Sequence, residues 1–240
     1  QLLSRIRAFF VDRGLLEVET PSLAGYPVTD PHIECIKANV AMGGARRTLY
    51  LQSSPEYAMK RLLASGSGPI FQICKAFRDG EVGRAHNIEF TMLEWYRPGF
   101  DHRRLMAETG ALLCTLTEHT TWRVVRYAKV FQATLGVDPH DASDELLKRC
   151  AARHTHVSTP TIADLRRVDL LELLFSQAIQ PTLKGLQFVY DFPSCLSALA
   201  KVYPGTPPVA ARFEGYLDGA EVANGYHELA DPVEQRARMA

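Results

Sequence analysis

The sequence predicts an α+β fold, an antiparallel sheet flanked by helices. Apolar residues recur at helical spacing near the start, in the middle and near the end of the 240-residue chain. Period-two segments at 69–78, 87–97, 186–193 and 211–228 lie between them. Helices packed around largely antiparallel strands define the class.

Taken in order, Leu2, Leu3, Ile6, Phe9 and Phe10 trace one helical face, and Gly14 stands where a cap would end that helix. "LLEVETP" (15–21) reads as a strand running into Pro21, and residues 22–47 read as loop. "TLYLQSSPEYAMKRLLASG" (48–66) reads as a strand and then a helix, with Ser54 as N-cap, Pro55 first in the helix and Gly66 beyond its end. "PIFQICKAFR" and "NIEFTMLEWYR" are two strands joined by an irregular loop. Asp101 caps a helix through Leu105, Leu112, Leu113 and Leu116. Residues 121–181 are expected to be helical, an insertion broken at Pro139 and Pro160. "LQFVYDFP" and "ARFEGYLDGAEVANGYHE" return to strands, the latter turning at Asp218-Gly219, and Asp231 caps a last helix.

Composition narrows the function. With 27 basic and 27 acidic residues the formal net charge is zero, which argues against a polyanion-binding surface as the main business. Five scattered cysteines without a CxxC pair suit reduced thiols better than disulfides or zinc. Neither a signal peptide nor an apolar run of spanning length appears, so no membrane role and a cytoplasmic location are expected.

The chemistry concentrates between residues 72 and 96. Side chains alternate across a strand, so Gln72, Cys74, Ala76 and Arg78 share one face, and Phe90, Met92, Glu94 and Tyr96 share one face of the returning strand. That face offers an amide, a guanidinium, an aromatic plate, a carboxylate and a phenol. Together they suit a phosphate or carboxylate at Arg78, a flat base on Phe90 and an ammonium at Glu94. An amphipathic hairpin with one wet face has the same pattern.

The run "FRDGEVGRAHNIEFTMLEWY" (77–96) resembles motif 2 of the class II aminoacyl-tRNA synthetases, lysine subgroup. "FFVDRGLLEVETPSL" (9–23) looks like their motif 1, and "SSPEYAMKRLL" and "GAEVANGYHEL" match the same branch. The resemblance covers nearly all of residues 1–240, which it makes one catalytic domain. The helix of motif 1 starts the sequence, so no anticodon-binding domain is expected, and "LEWYRPGFD" is similar to the short lysyl-tRNA synthetase paralogues that modify elongation factor P.

That family implies ATP and Mg²⁺, lysine or (R)-β-lysine as substrate, elongation factor P rather than tRNA as acceptor, and a homodimer built through motif 1. Carried over by motif position, Arg78 is catalytic. Arg78, Asp79, Gly80, Glu81, His86, Asn87, Phe90, Glu221 and Val222 bind ATP, and Arg84 lies within reach of its phosphates. Ser54, Pro55, Glu56, Gln72, Glu94, Tyr96 and Glu228 bind the amino acid. Two departures stand out. The family often has a carboxylate where this chain has Gly80, with Glu81 next, and the motif 3 arginine is absent from the 240 residues.

Glu221 and Glu228 are the implied metal ligands. They are seven apart, which places them on opposite faces of an uninterrupted strand, and Asn224-Gly225 is the expected bulge or turn that re-aims one of them. Without the resemblance, ordinary surface glutamates on an exposed hairpin explain them as well. Two rival functions remain: a lysine–tRNA ligase catalytic fragment, and a non-catalytic synthetase-like binding module, against which the retention of Arg78, Glu94, Glu221 and Glu228 speaks.

Overall fold

The computed structural model describes residues 1–30, 33–83 and 86–238. Its contacts divide the chain into two compact units, Gln1–Gly99 and Phe100–Arg238.

In the first unit, α1 (Leu2–Val11) buries Ile6, Phe9 and Phe10, as its spacing requires. β1 (Leu16–Glu17) pairs in parallel with Ile70 and Phe71. It is shorter than "LLEVETP" suggested, because the chain turns off after one further bond, from Val18 N–H to the Phe71 carbonyl. Residues 22–47 are not simply loop. β2 (Leu23–Ala24), β3 (Lys37–Met42) and β4 (Ala45–Leu51) form an antiparallel sheet in the order β2-β4-β3. Gly43 and Gly44 join β3 to β4 with φ of +59° and +81°, the paired left-handed conformation of a two-residue hairpin turn. Lys37, Asn39, Arg46, Arg47 and Thr48 leave this sheet too polar to show an apolar alternation.

α2 (Glu56–Ala64) starts one residue later than expected, with Pro55 at the N-cap position. β5 (Ile70–Phe77) and β6 (Glu89–Tyr96) are antiparallel, as anticipated, and extend the sheet to β1-β5-β6. α1 covers one face of this pair: the Phe10 ring stacks on Phe71 at 4.9 Å and meets Trp95 at 5.1 Å.

In the second unit, α3 (His102–Leu116) is capped by Asp101, whose carboxylate accepts from the Arg104 N–H at 2.8 Å. The stretch expected to be wholly helical opens with a strand, β7 (Arg123–Arg126), because four residues of "RVVR" are too few to display a period. Then follow α4 (Tyr127–Leu135), α5 (Asp144–His154), α6 (Thr159–Asp164) and α7 (Arg167–Leu174). They enclose Phe131, Leu147, Ile162, Leu170 and Leu174 with Val189 and Phe192 of β8 (Leu186–Pro193). β9 (Val202–Tyr203), β10 (Val209–Leu217) and β11 (Ala220–Tyr226) complete a sheet ordered β11-β10-β8-β7, with β9 beside β10. β7 runs parallel to β8, and β8, β10 and β11 are antiparallel neighbours. α8 (Pro232–Arg238) follows the expected cap at Asp231. All five cysteines are free.

α3 lies over β10 and β11, where Met106 is buried with Phe188 and Phe213. Gly225 makes that approach possible, since a Cβ there would sit 2.4 Å from Phe213 Cζ. Gly225→Ala is therefore expected to cost about 1–3 kcal/mol as the ring is forced aside. Denaturant unfolding measures it, and an unchanged midpoint would show that the ring yields freely.

Candidate active site

With Phe71 and Trp95 turned to α1, alternation sends Gln72, Phe90 and Glu94 to the other face of β5 and β6. The register pairs Gln72 with Glu94, Cys74 with Met92 and Ala76 with Phe90, so the face expected from the sequence is assembled.

Glu94 is its centre. The Ser54 hydroxyl donates to Oε2 at 2.7 Å and the Tyr96 hydroxyl to Oε1 at 2.8 Å. Burial pushes the Glu94 carboxyl up to about 6, against the pull of those two hydrogen bonds. Glu56 adds to the rise and Lys60 opposes it. Ser54 also accepts the Glu56 N–H at 3.0 Å, so one hydroxyl ties the head of α2 to the β6 carboxylate, with Pro55 between. Lys60, one turn along α2, places Nζ 2.7 Å from Glu56 Oε1. Its place four residues after Glu56 was the available signal, and sequence reasoning passed over it.

Gln72 is buried, and its Oε1 accepts from Thr20 at 3.0 Å. Its Nε2 has no hydrogen-bond partner among the described residues. Beside it, burial pushes the Cys74 thiol up and the Glu94 charge adds to the effect, which suits an inert thiol.

Arg78 leaves the end of β5 with its guanidinium 5.2 Å from the Phe90 ring centroid. Its side-chain contacts are long, 3.4 Å to the Ser53 carbonyl and 3.5 Å to Glu81 Oε1. Glu81 therefore turns back on the arginine. Gly80 takes φ +73°, a conformation that a carboxylate-bearing residue would strain to adopt. Asp79 accepts the Gly80 N–H at 2.9 Å. His86 closes the loop through its backbone carbonyl and the Gly83 N–H at 3.1 Å, and Asn87 is exposed. Arg84 lies outside the described residues.

In the second unit, β10 and β11 turn at Asp218 and Gly219, with φ of +49° and +84°. Their pairing slips between Gly215 and Tyr216: Tyr216 faces Glu221 while Gly215 faces Ala223. The extra residue is Val222. Asn224 and Gly225, expected to form the bulge, pair regularly with Glu214 and Phe213. The slip brings Glu221 to the face of Glu214, Tyr216 and Asn224, and alternation continues that face to Tyr226 and toward Glu228. Glu214, which sequence reasoning missed, pairs with Arg212 and accepts from the Tyr216 hydroxyl.

Among the described residues no group of three or more His, Cys, Asp and Glu forms a metal cage. Glu221 and Glu228 supply hard oxygen donors of the kind Mg²⁺ takes one or two at a time, completing its shell with water and phosphate. The donor set fits that ion. None of the described helices is long and apolar enough to cross a membrane.

Comparison with known proteins shows the family. A family profile described as tRNA synthetases class II (D, K and N) matches residues 1–240. The chain is 46% identical over 243 residues to the elongation factor P–(R)-β-lysine ligase of Haemophilus influenzae, covering 100% of this chain and 74% of that protein. It is 48% identical over 242 residues to the ligase of the same name from Vibrio cholerae, with 99% and 74% covered.

A buried carboxylate with a raised pKa weakens the fold when it ionises. Below the unfolded value both states are protonated and the penalty vanishes; above about 6 the folded state bears it in full. Glu94→Gln is expected to stabilise the unliganded protein at pH 8 by about 1 kcal/mol, partial exposure allowed for, and to change nothing at pH 4. Thermal melts at the two pH values check this. Equal shifts at both would assign the effect to packing.

Proposed function

This chain belongs to the class II tRNA synthetases (D, K and N), and we propose that it is the ligase that activates lysine or (R)-β-lysine with ATP and transfers it to a lysine side chain of elongation factor P. The names of its relatives support the activity and the acceptor. The observation that carries the substrate class is Glu94, which receives hydroxyl hydrogens from Ser54 and Tyr96 and stands on the face that bears Phe90.

The reaction joins two steps. A substrate carboxylate oxygen attacks the α-phosphorus of ATP, the bond to pyrophosphate breaks, and an acyl-adenylate forms. The Nε amine of the acceptor lysine then attacks the acyl carbonyl, loses a proton, and AMP departs. Arg78 faces the developing negative charge on the α-phosphate with donors that its long contacts leave available. Phe90 carries the adenine, with Asp79, Gly80, Glu81, His86 and Asn87 along the nucleotide. Glu94 and Tyr96 take the distal ammonium, and Ser54, Pro55, Glu56 and Gln72 shape the rest of that pocket. In the second unit Glu221 and Glu228 would hold Mg²⁺, which would supply charge neutralisation to a bound phosphate chain, and the family pattern assigns Val222 to the nucleotide and Glu228 also to the amino acid. The location is cytoplasmic. The protein acts as a homodimer through residues 1–25, where Leu2, Leu3, Val11, Leu16 and Leu23 are exposed.

Four measurements test the reading. Phe90→Ala is expected to weaken ATP binding by about 1–3 kcal/mol, the range of base-on-aromatic stacking. An unchanged ATP affinity would remove Phe90 from the site. Glu94→Gln keeps the shape and deletes the charge, so lysine-dependent pyrophosphate exchange should lose about 2–5 kcal/mol of substrate affinity while ATP binding holds. Exchange equal to the parent's would end the lysine-pocket assignment, and acceptor assays with tRNA beside elongation factor P separate the two transfer reactions. Sedimentation at micromolar concentration should show a dimer, and a monomer would overturn the motif 1 interface.

A further inference from the structure

The pocket contains more negative charge than one substrate ammonium needs. On α2 stand Glu56 and Lys60, on β6 Glu94 and Tyr96, and on β5 the protonated Cys74. Among the described residues, the two carboxylates share the ammonium of Lys60. Lys60 Nζ sits 2.7 Å from Glu56 Oε1, whereas among the described residues Glu94 accepts from the neutral hydroxyls of Ser54 and Tyr96. We propose that Lys60 is a positioning residue that sets the charge of the substrate pocket, engaging Glu56 so that Glu94 is the carboxylate left to take the ammonium of the incoming amino acid.

An i,i+4 pair on a helix is usually a surface feature of little consequence. This one faces inward. The side chains of Lys60 and Glu56 are 27% and 28% exposed, and Ser54 links the head of their helix to Glu94 through its single hydroxyl. Both charges reach Glu94, and they act in opposite directions. Without Lys60, Glu56 and Glu94 are two like charges sharing one partly dry site, so one of them resists ionisation. An ammonium then meets a protonated partner, or is divided between two carboxylates instead of being fixed by one. Discrimination by the position of an amino group depends on which carboxylate holds it.

The inference rests on the lysine-pocket reading, and its test separates the two. The ¹³C-carboxyl titration of Glu94 without substrate is compared in the parent protein, Lys60→Gln and Lys60→Arg. Loss of the cation should move the Glu94 midpoint up by about one pH unit, and arginine should bring it back. The acid limb of the lysine KM in pyrophosphate exchange should move by the same amount, with the KM for ATP unchanged. Superimposed titrations of the parent and Lys60→Gln would overturn the proposal. So would a Lys60→Gln midpoint that arginine does not restore, since that marks a packing role. A shifted titration in a protein that activates neither lysine nor β-lysine would uphold the charge-setting role of Lys60 and sink the substrate assignment instead.

Discussion

A strand pair that packs Phe71 and Trp95 against Phe10 of α1 has no freedom over where Gln72 and Glu94 go. The pleat sends alternate side chains to opposite faces, and a one-residue slip would place carboxylate and amide in the apolar layer with Phe10. Burying polar groups without partners there costs several kcal/mol, so the register is fixed by the dry side and inherited by the wet one. Packing under α1 thus determines which groups can form a site. Arg78, at the last alternate position beyond β5, follows from the same constraint.

Within that frame, Glu94 is held at a deliberate energetic disadvantage. Two hydroxyl donors orient the carboxylate but bring no positive charge, and burial holds its carboxyl near 6. Such a group gains more from an ammonium than a solvated carboxylate would, because less hydration is lost on pairing. On the proposed reading, the stability given up in the empty protein becomes discrimination in the complex. Lys60 keeps this from failing: two unneutralised carboxylates in one pocket would leave one of them protonated and unable to bind.

Much of this was legible in the chain, and the failures have physical causes. Alternation placed the hairpin face correctly because Phe71, Ile73, Leu93 and Trp95 mark its apolar side. The β3–β4 hairpin was missed because its strands are exposed and charged, although Gly43-Gly44 was a usable turn signal. β7 escaped because four residues carry no period. The bulge was needed and was placed wrongly: Asn224-Gly225 looks like a turn, but Gly225 is there to admit the Phe213 ring, and the slip falls at Val222. Gly80 departs from the family pattern at a left-handed residue, where backbone geometry outranks side-chain chemistry. Resemblance supplied the reaction, which no periodicity contains.

The second unit shows what a polar group with a structural task looks like. Arg212 is buried deeply enough to oppose its charge, yet it remains charged, with Glu214 foremost among the groups that offset burial and Tyr226 and Glu221 adding to it. Its guanidinium donates to Glu214 and to the Leu196 carbonyl and lies 4.5 Å from the Phe192 ring centroid. The chain supplies its own counterion. Among the described residues Glu94 is given orientation by two neutral hydroxyls and no paired cation, although burial moves its pKa up. Burial alone does not distinguish the two residues. What differs is the partner, a carboxylate for Arg212 and neutral hydroxyls for Glu94, and that difference is what supports the proposed ammonium site at Glu94.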